Sequence, residues 1–99
     1  MSDAAPIADS PIERDLEIIN QRGLHARASA KFVQVAGSFD ASIHVEKDGT
    51  TVGGTSIMGL MMLAASPGCC IRVTASGPQA EAAMAAIVEL IATRFGEEN

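Results

Sequence analysis

The sequence predicts an α+β domain in which three helices cover one face of a four-stranded antiparallel sheet, in the order βαββαβα. Three observations predict it. Short stretches of alternating apolar and polar residues recur around Leu16, Ile43 and Val73, the period of half-buried strands. The Asp48-Gly49 dipeptide separates two such stretches and is a strong signal for a tight hairpin. Apolar residues at helical spacing follow Gly23 and Gly77-Pro78. A hairpin flanked by helices, with an outer pair of strands, forms a split sheet with every helix on one side. At 99 residues the chain is one domain, able to bury about 60–65% of its unfolded surface.

Residues 1–13 hold Pro6 and Pro11 among Ala, Ser and Asp and read as a flexible arm, with Ile12 near the point where order begins. The domain proper is expected over 14–99. Leu16 and Ile18 alternate with Asp15 and Glu17, predicting a first strand from about Arg14 to Asn20, which Gln21-Arg22-Gly23 breaks. From Ala26, the positions Ser29, Phe32, Val33 and Ala36 mark a helix ending at Gly37. Ala41, Ile43 and Val45 form the next strand, and Thr50 to Gly53 return from the hairpin. Ser56 to Ala65 is too rich in Met and Leu for a strand and predicts a short helix capped by Thr55 or Ser56. After Pro67-Gly68, Cys69, Ile71, Val73 and Ala75 mark the last strand. A final helix opens at Gly77-Pro78, with Ala80, Met84, Ile87, Val88, Ile91 and Phe95 as one apolar stripe. The other face of the sheet, carrying Ser42, His44, Glu46, Arg72 and Thr74, is expected to be wet.

Composition narrows the function. The hydrophobic fraction is 47% with only three aromatic residues, so aliphatic side chains and Met must form the core. Seven basic against twelve acidic residues, a net charge of −5, argue against nucleic-acid binding, which needs a basic face. Neither a signal peptide nor a membrane span is readable. Cys69 and Cys70 are adjacent and poorly placed to bridge each other, so free thiols in a reducing cytoplasm are expected. Metal-ligand spacing such as Cys-x-x-Cys is absent, and neither a metal nor a cofactor is expected.

The chemistry points to Gly23-Leu24-His25-Ala26-Arg27, at the junction of the first strand and first helix. The first-turn N–H groups of a helix lack intrahelical partners and, with the helix dipole, form an anion site. Arg27 adds a fixed positive charge two residues on. Both effects favour a neutral, nucleophilic imidazole at His25, and the same donors would stabilise an attached phosphoryl group. A lone histidine at a helix start is more often a cap or a surface residue, so the surrounding pattern must decide.

That pattern resembles the HPr phosphocarriers of the phosphoenolpyruvate-dependent phosphotransferase system. The resemblance runs from about Arg14 to Phe95. It rests on Gly23-Leu24-His25-Ala26-Arg27 and on Gly54-Thr55-Ser56-Ile57-Met58-Gly59-Leu60-Met61, with the expected hairpin between. It implies an HPr-like open-faced β-sandwich, and a phosphoryl group taken onto the pros ring nitrogen of His25 from the first enzyme of the system, a phosphoenolpyruvate-protein phosphotransferase. It further implies that Arg27 supports the phosphoryl group and that a downstream phosphoacceptor protein receives it. The chain would thus be a carrier with a phosphohistidine intermediate, not an enzyme with turnover of its own. In some members the serine matching Ser56 is phosphorylated by a dedicated ATP-dependent kinase. Ile57, Met58 and Met61 match the docking patch, and the short helix is more apolar than one buried face requires. One departure stands out: the family usually has proline after the arginine, and this chain has Ala28. The alternative function is a non-phosphorylated regulatory or binding module on the same fold, since such folds host many functions. The expected state is a monomer, without nucleic-acid or membrane partners.

Overall fold

The computed structural model describes residues 11–97. Its elements are β1 (Ile12–Glu17), α1 (Ala26–Ala36), β2 (Ser42–Lys47), β3 (Thr50–Gly53), α2 (Ile57–Met62), β4 (Cys70–Ser76) and α3 (Ala80–Ala92), followed by a 3-10 turn over Arg94–Gly96. The strands form one antiparallel sheet in the order β1-β4-β2-β3. This is the expected βαββαβα arrangement, with four strands and three helices.

Alternation along the strands determines the faces. Ile43 and Val45 of β2 and Ile71, Val73 and Ala75 of β4 point inward and are buried, while Ser42, His44, Cys70 and Arg72 point to solvent. The core joins these residues to Phe32 of α1, Leu60 of α2, and Met84, Ile87 and Ile91 of α3. On the open face Arg72 Nε donates to Asp15 Oδ1 at 3.1 Å, an exposed pair of small energetic weight. At the β2–β3 hairpin Asp48 and Gly49 both have positive φ, 52° and 84°, the backbone that a two-residue turn with native strand twist requires.

Several predicted boundaries shift. β1 begins at Ile12, inside the stretch assigned to the arm, because Ile12 pairs with Ala75 of β4. It ends at Glu17 rather than Asn20: Ile18 instead exchanges backbone bonds with the Gly68-Cys69 turn, at 2.8 Å each. The rest of the expected arm, 1–10, lies outside the described residues. β4 starts at Cys70, leaving Cys69 in that turn; both thiols are free. α3 starts at Ala80, two residues after Pro78, and α2 stops at Met62 instead of Ala65. Val88, expected in the buried stripe, is partly exposed, and Ala83 is buried on that helix.

The largest departure is at the end of α3. Thr93 Oγ1 donates to the carbonyls of Glu89 and Leu90, at 3.0 and 3.1 Å. Arg94, Phe95 and Gly96 then take left-handed φ values of 58°, 55° and 76°. The chain reverses, and Phe95 enters the core at 1% exposure from a turn rather than from the helix. Lys31 of α1 donates to the Phe95 carbonyl at 2.7 Å and fastens the turn.

The segment between β1 and α1 is held by backbone. Leu24 N–H donates to Ala65 O at 2.9 Å, and Gly23 has a φ of 66°. A Cβ on Gly23 would stand 2.3 Å from Ala65 O. Gly23→Ala should therefore destabilise the fold by about 1–3 kcal/mol, from strain at positive φ with a backbone clash added. In a domain of this size that lowers the melting temperature by roughly 4 °C or more. Thermal unfolding followed by circular dichroism checks it; an unchanged melting temperature would mean the loop has slack.

Candidate functional site

His25 is the N-cap of α1. Its φ and ψ are extended (−78°, −176°), and its carbonyl accepts the first helical bond, from Ser29 N–H at 2.8 Å. The side chain does not cap the helix. Among the described residues, none accepts from the N–H groups of Ala26, Arg27 and Ala28; Ala28 is fully buried, so the exposed Ala26 and Arg27 donors and the positive end of an 11-residue helix stand open beside the imidazole. The first turn carries no acidic residue to occupy that end. Arg27 is exposed in the same turn and makes no hydrogen bond or ion pair among the described residues.

The imidazole itself is held from behind. His25 Nε2 lies 2.7 Å from Glu97 Oε2, and both side chains are largely shielded. Asn20 Nδ2 donates to the same Glu97 oxygen at 2.8 Å and to the Gly23 carbonyl at 2.9 Å. Hydrogen bonding to His25 foremost, and also to Asn20, holds the Glu97 carboxyl below the usual carboxylate range against desolvation, which pushes it up. Asn20 is fully buried, and its Oδ1 has no partner. Two acceptors on the amide nitrogen fix which way the side chain points.

Ser56 is the N-cap of α2, with its Oγ accepting from Gly59 N–H at 2.9 Å. α2 buries only Leu60. Ile57 and Met61 are about two-fifths exposed, Met58 is 70% exposed and Met62 76%. α2 packs against α1, so this apolar surface belongs to the same layer as His25, though no hydrogen bond or ion pair joins the two among the described residues. His44 and Cys70 lie on the opposite, open face of the sheet.

The residues and the architecture match one family. Residues 12–93 match the family described as "PTS HPr component phosphorylation site". The chain belongs to the HPr family. It is 49% identical over 86 residues to the phosphocarrier protein HPr of Cupriavidus necator, covering 87% of this chain and 97% of that protein. With the phosphocarrier protein HPr of Neisseria meningitidis it shares 48% identity over the same length and the same proportions of each chain. The crystal structure of HPr-C-His from Thermoanaerobacter tengcongensis superposes with a TM-score of 0.85 at 46% identity, covering 89% of this chain and 99% of that one. That of HPr from Bacillus anthracis gives 0.80 at 40% identity, covering 84% and 99%. As an HPr-family member the chain is a phosphocarrier of the phosphotransferase system, and its partners are of that system. No described helix is long and apolar enough to cross a membrane.

Asn20 and Glu97 did not emerge from the sequence. Continuing the last helix through Phe95 hides Glu97, because it projects that residue away from the domain instead of back toward His25. The only available signal is the glycine at position 96, next to a residue that must be buried.

The depressed Glu97 pKa has a direct consequence for stability. Its hydrogen bonds stabilise the fold fully above the unfolded carboxylate value of about 4.3, and that contribution is lost as pH falls through the lower folded value. Glu97→Gln should therefore melt below the parent at neutral pH, with the gap closing in acid. Melting temperatures of both proteins between pH 7 and pH 3 check this, and a gap independent of pH would disprove it.

Proposed function

We infer that this HPr-family protein carries its phosphoryl group on His25 in a relay from the phosphoenolpyruvate-dependent first enzyme to a downstream acceptor protein in the cytoplasm. The observation that carries the reading is the histidine beside the exposed, unoccupied backbone N–H donors of Ala26 and Arg27 at the start of α1. With Nε2 directed at Glu97, Nδ1 is the free nitrogen. Its lone pair attacks the phosphorus of a phosphohistidine on the upstream enzyme; the new N–P bond forms as the donor's N–P bond breaks. The first-turn N–H groups meet the phosphoryl oxygens, and Arg27 balances the rest of their charge. Transfer onward is the same exchange in reverse. Positioning and electrostatics supply most of the rate, as in phosphoryl transfer generally.

Ile57, Met58 and Met61 form the docking surface. An exposed methionine-rich patch beside the carrier residue is adaptable enough for both an upstream and a downstream partner. Ser56 is the control point. Its hydroxyl is exposed at the edge of that patch, and a phosphate there adds about −1.5 to −2 charges next to an apolar contact.

Three experiments test this reading. His25→Ala should abolish acid-labile phosphorylation by phosphoenolpyruvate and the first enzyme while leaving the circular dichroism spectrum intact. Arg27→Ala should slow the reaction without loss of stability beyond about 0.5 kcal/mol, the ordinary range for a surface change. Acid-labile phosphate on the His25 variant at the parental level would overturn the assignment. For Ser56, the phosphorylated protein should be charged at His25 about tenfold more slowly, equivalent to roughly 1.4 kcal/mol of weakened docking. Helicity should persist because the new charge sits at a helix N-terminus. Equal rates for modified and unmodified protein would remove Ser56 from the control of docking.

A further inference from the structure

We propose that Asn20 and Ser29 are positioning residues that clamp the backbone leading into His25 and hold that residue as an extended N-cap. This deepens the phosphocarrier reading and rests on it for the reaction that the clamp serves. Neither side chain hydrogen-bonds the imidazole; both act through main-chain carbonyls.

Asn20 and Ser29 are the two polar side chains that are fully buried among the described residues. Both bond the same short stretch of backbone. Asn20 Nδ2 donates to the Gly23 carbonyl at 2.9 Å, and that carbonyl also accepts from the His25 N–H at 2.9 Å. The Asn20 carbonyl in turn accepts from the Gly23 N–H at 3.2 Å. Ser29 Oγ reaches back from the end of the first turn of α1 and donates to the Leu24 carbonyl at 3.2 Å, while its N–H serves the His25 carbonyl at 2.8 Å. With the Leu24 N–H on Ala65 O, every main-chain donor and acceptor from Gly23 to His25 is engaged.

Packing alone does not call for these two residue types. The other buried residues of α1 are Ala28, Phe32 and Ala36. An alanine in place of Ser29 would suit a helix interior better, so the buried hydroxyl answers a polar need. Asn20 leaves its own Oδ1 buried without a partner, a loss that an apolar residue of similar shape would avoid.

The spacing shows what the Ser29 hydroxyl prevents. Leu24 and Ala28 are four residues apart, the interval of an α-helical bond. The Ala28 N–H nevertheless has no acceptor among the described residues, and the Leu24 carbonyl is taken by Ser29 Oγ. The hydroxyl thus replaces the bond that would start α1 one residue earlier. Without it His25 becomes the first helical residue, loses its extended ψ of −176°, and its imidazole turns with the backbone. In transfer the ring nitrogen must reach phosphorus in line, and a displacement of about 1 Å costs roughly a hundredfold in rate. Asn20 anchors one end of the stretch and Ser29 the other.

The experiment combines backbone NMR with kinetics of charging by phosphoenolpyruvate and the first enzyme, on the full chain. In the unmodified protein the ¹³Cα shift of His25 should be that of extended backbone. In Ser29→Ala it should move toward the helical range. There kcat for charging should fall about tenfold with KM little changed, since the docking surface on α2 is untouched. Ser29 bonds neither Glu97 nor the imidazole, so this loss does not pass through that pair. Asn20→Leu, close in shape and without the orphaned oxygen, should lower kcat in the same way, and it tests the clamp from its other end if Ser29→Ala does not fold. A parental kcat in either folded variant overturns the proposal, as does a loss confined to KM or to melting temperature. A fall in kcat for Ser29→Ala with the His25 shift unmoved overturns it too. If the unmodified protein is not charged at all, the relay reading fails. The His25 shift in Ser29→Ala then still reports whether the hydroxyl holds the backbone, so the two failures are told apart.

Discussion

The geometry of the His25 end depends on a backbone contact between two loops. Gly23 sits so close to Ala65 that no side chain fits between them, and the Leu24 N–H closes the contact on the same carbonyl. That contact sets where the chain leaves β1 and the direction in which α1 begins. Leu24 is buried immediately after it, His25 takes an extended backbone as N-cap, and Ala28, Ser29 and Phe32 follow into the core. Open N–H groups at a helix start are common. Here the loop contact makes their location reproducible, and it joins the residues before His25 to the segment that follows α2.

An acidic chain can manage a phosphoryl group when its charge is unevenly placed. The net charge is −5, yet the distribution is uneven. Glu13, Asp15, Glu17 and Glu46 lie on the open face of the sheet, with Arg72 among them. Arg22, Arg27, Lys31 and Arg94 lie on the segments that frame His25: the turn before α1, α1 itself and the left-handed turn after α3. Surface charge of one sign near a reacting centre raises the local concentration of the opposite sign, whatever the total. Glu97 is an acidic residue inside this basic zone, but its charge is taken up by His25 and Asn20 rather than presented to an incoming anion.

Much of this was legible in the sequence, for identifiable reasons. Strand alternation and the Asp48-Gly49 turn act locally, so β2 and β4 were legible at Ile43, Val45, Ile71 and Val73 and the hairpin at the turn, whereas the order β1-β4-β2-β3 came from the structure. The helix-start histidine was equally local, because the glycine, the apolar residue and the arginine around it lie within five positions. The end of α3 was not legible. Phe95 continues the helical period in sequence and is buried in fact, but it reaches the core through a reversal that periodicity does not encode. Glu97 was lost with it, and Asn20 with Glu97. A buried asparagine after a strand reads as a turn residue until its distant partner, 77 residues on, is seen beside it.

Ala28 gives the site its individual character. A proline at this position would stiffen the first turn and delete one amide hydrogen. Alanine gives up that stiffness, and because Ala28 is fully buried its extra amide is not offered to an incoming anion. The exposed Ala26 and Arg27 amides remain, and with them the helix start acts as a small ready-made solvent shell for an anion, built from backbone alone. Such a shell reorganises little when charge arrives, since its dipoles are anchored by α1 rather than free to turn like water. Where a proline-bearing turn relies on rigidity of the covalent chain, this one relies on the packing of Ala28, Ser29 and Phe32 behind its exposed dipoles.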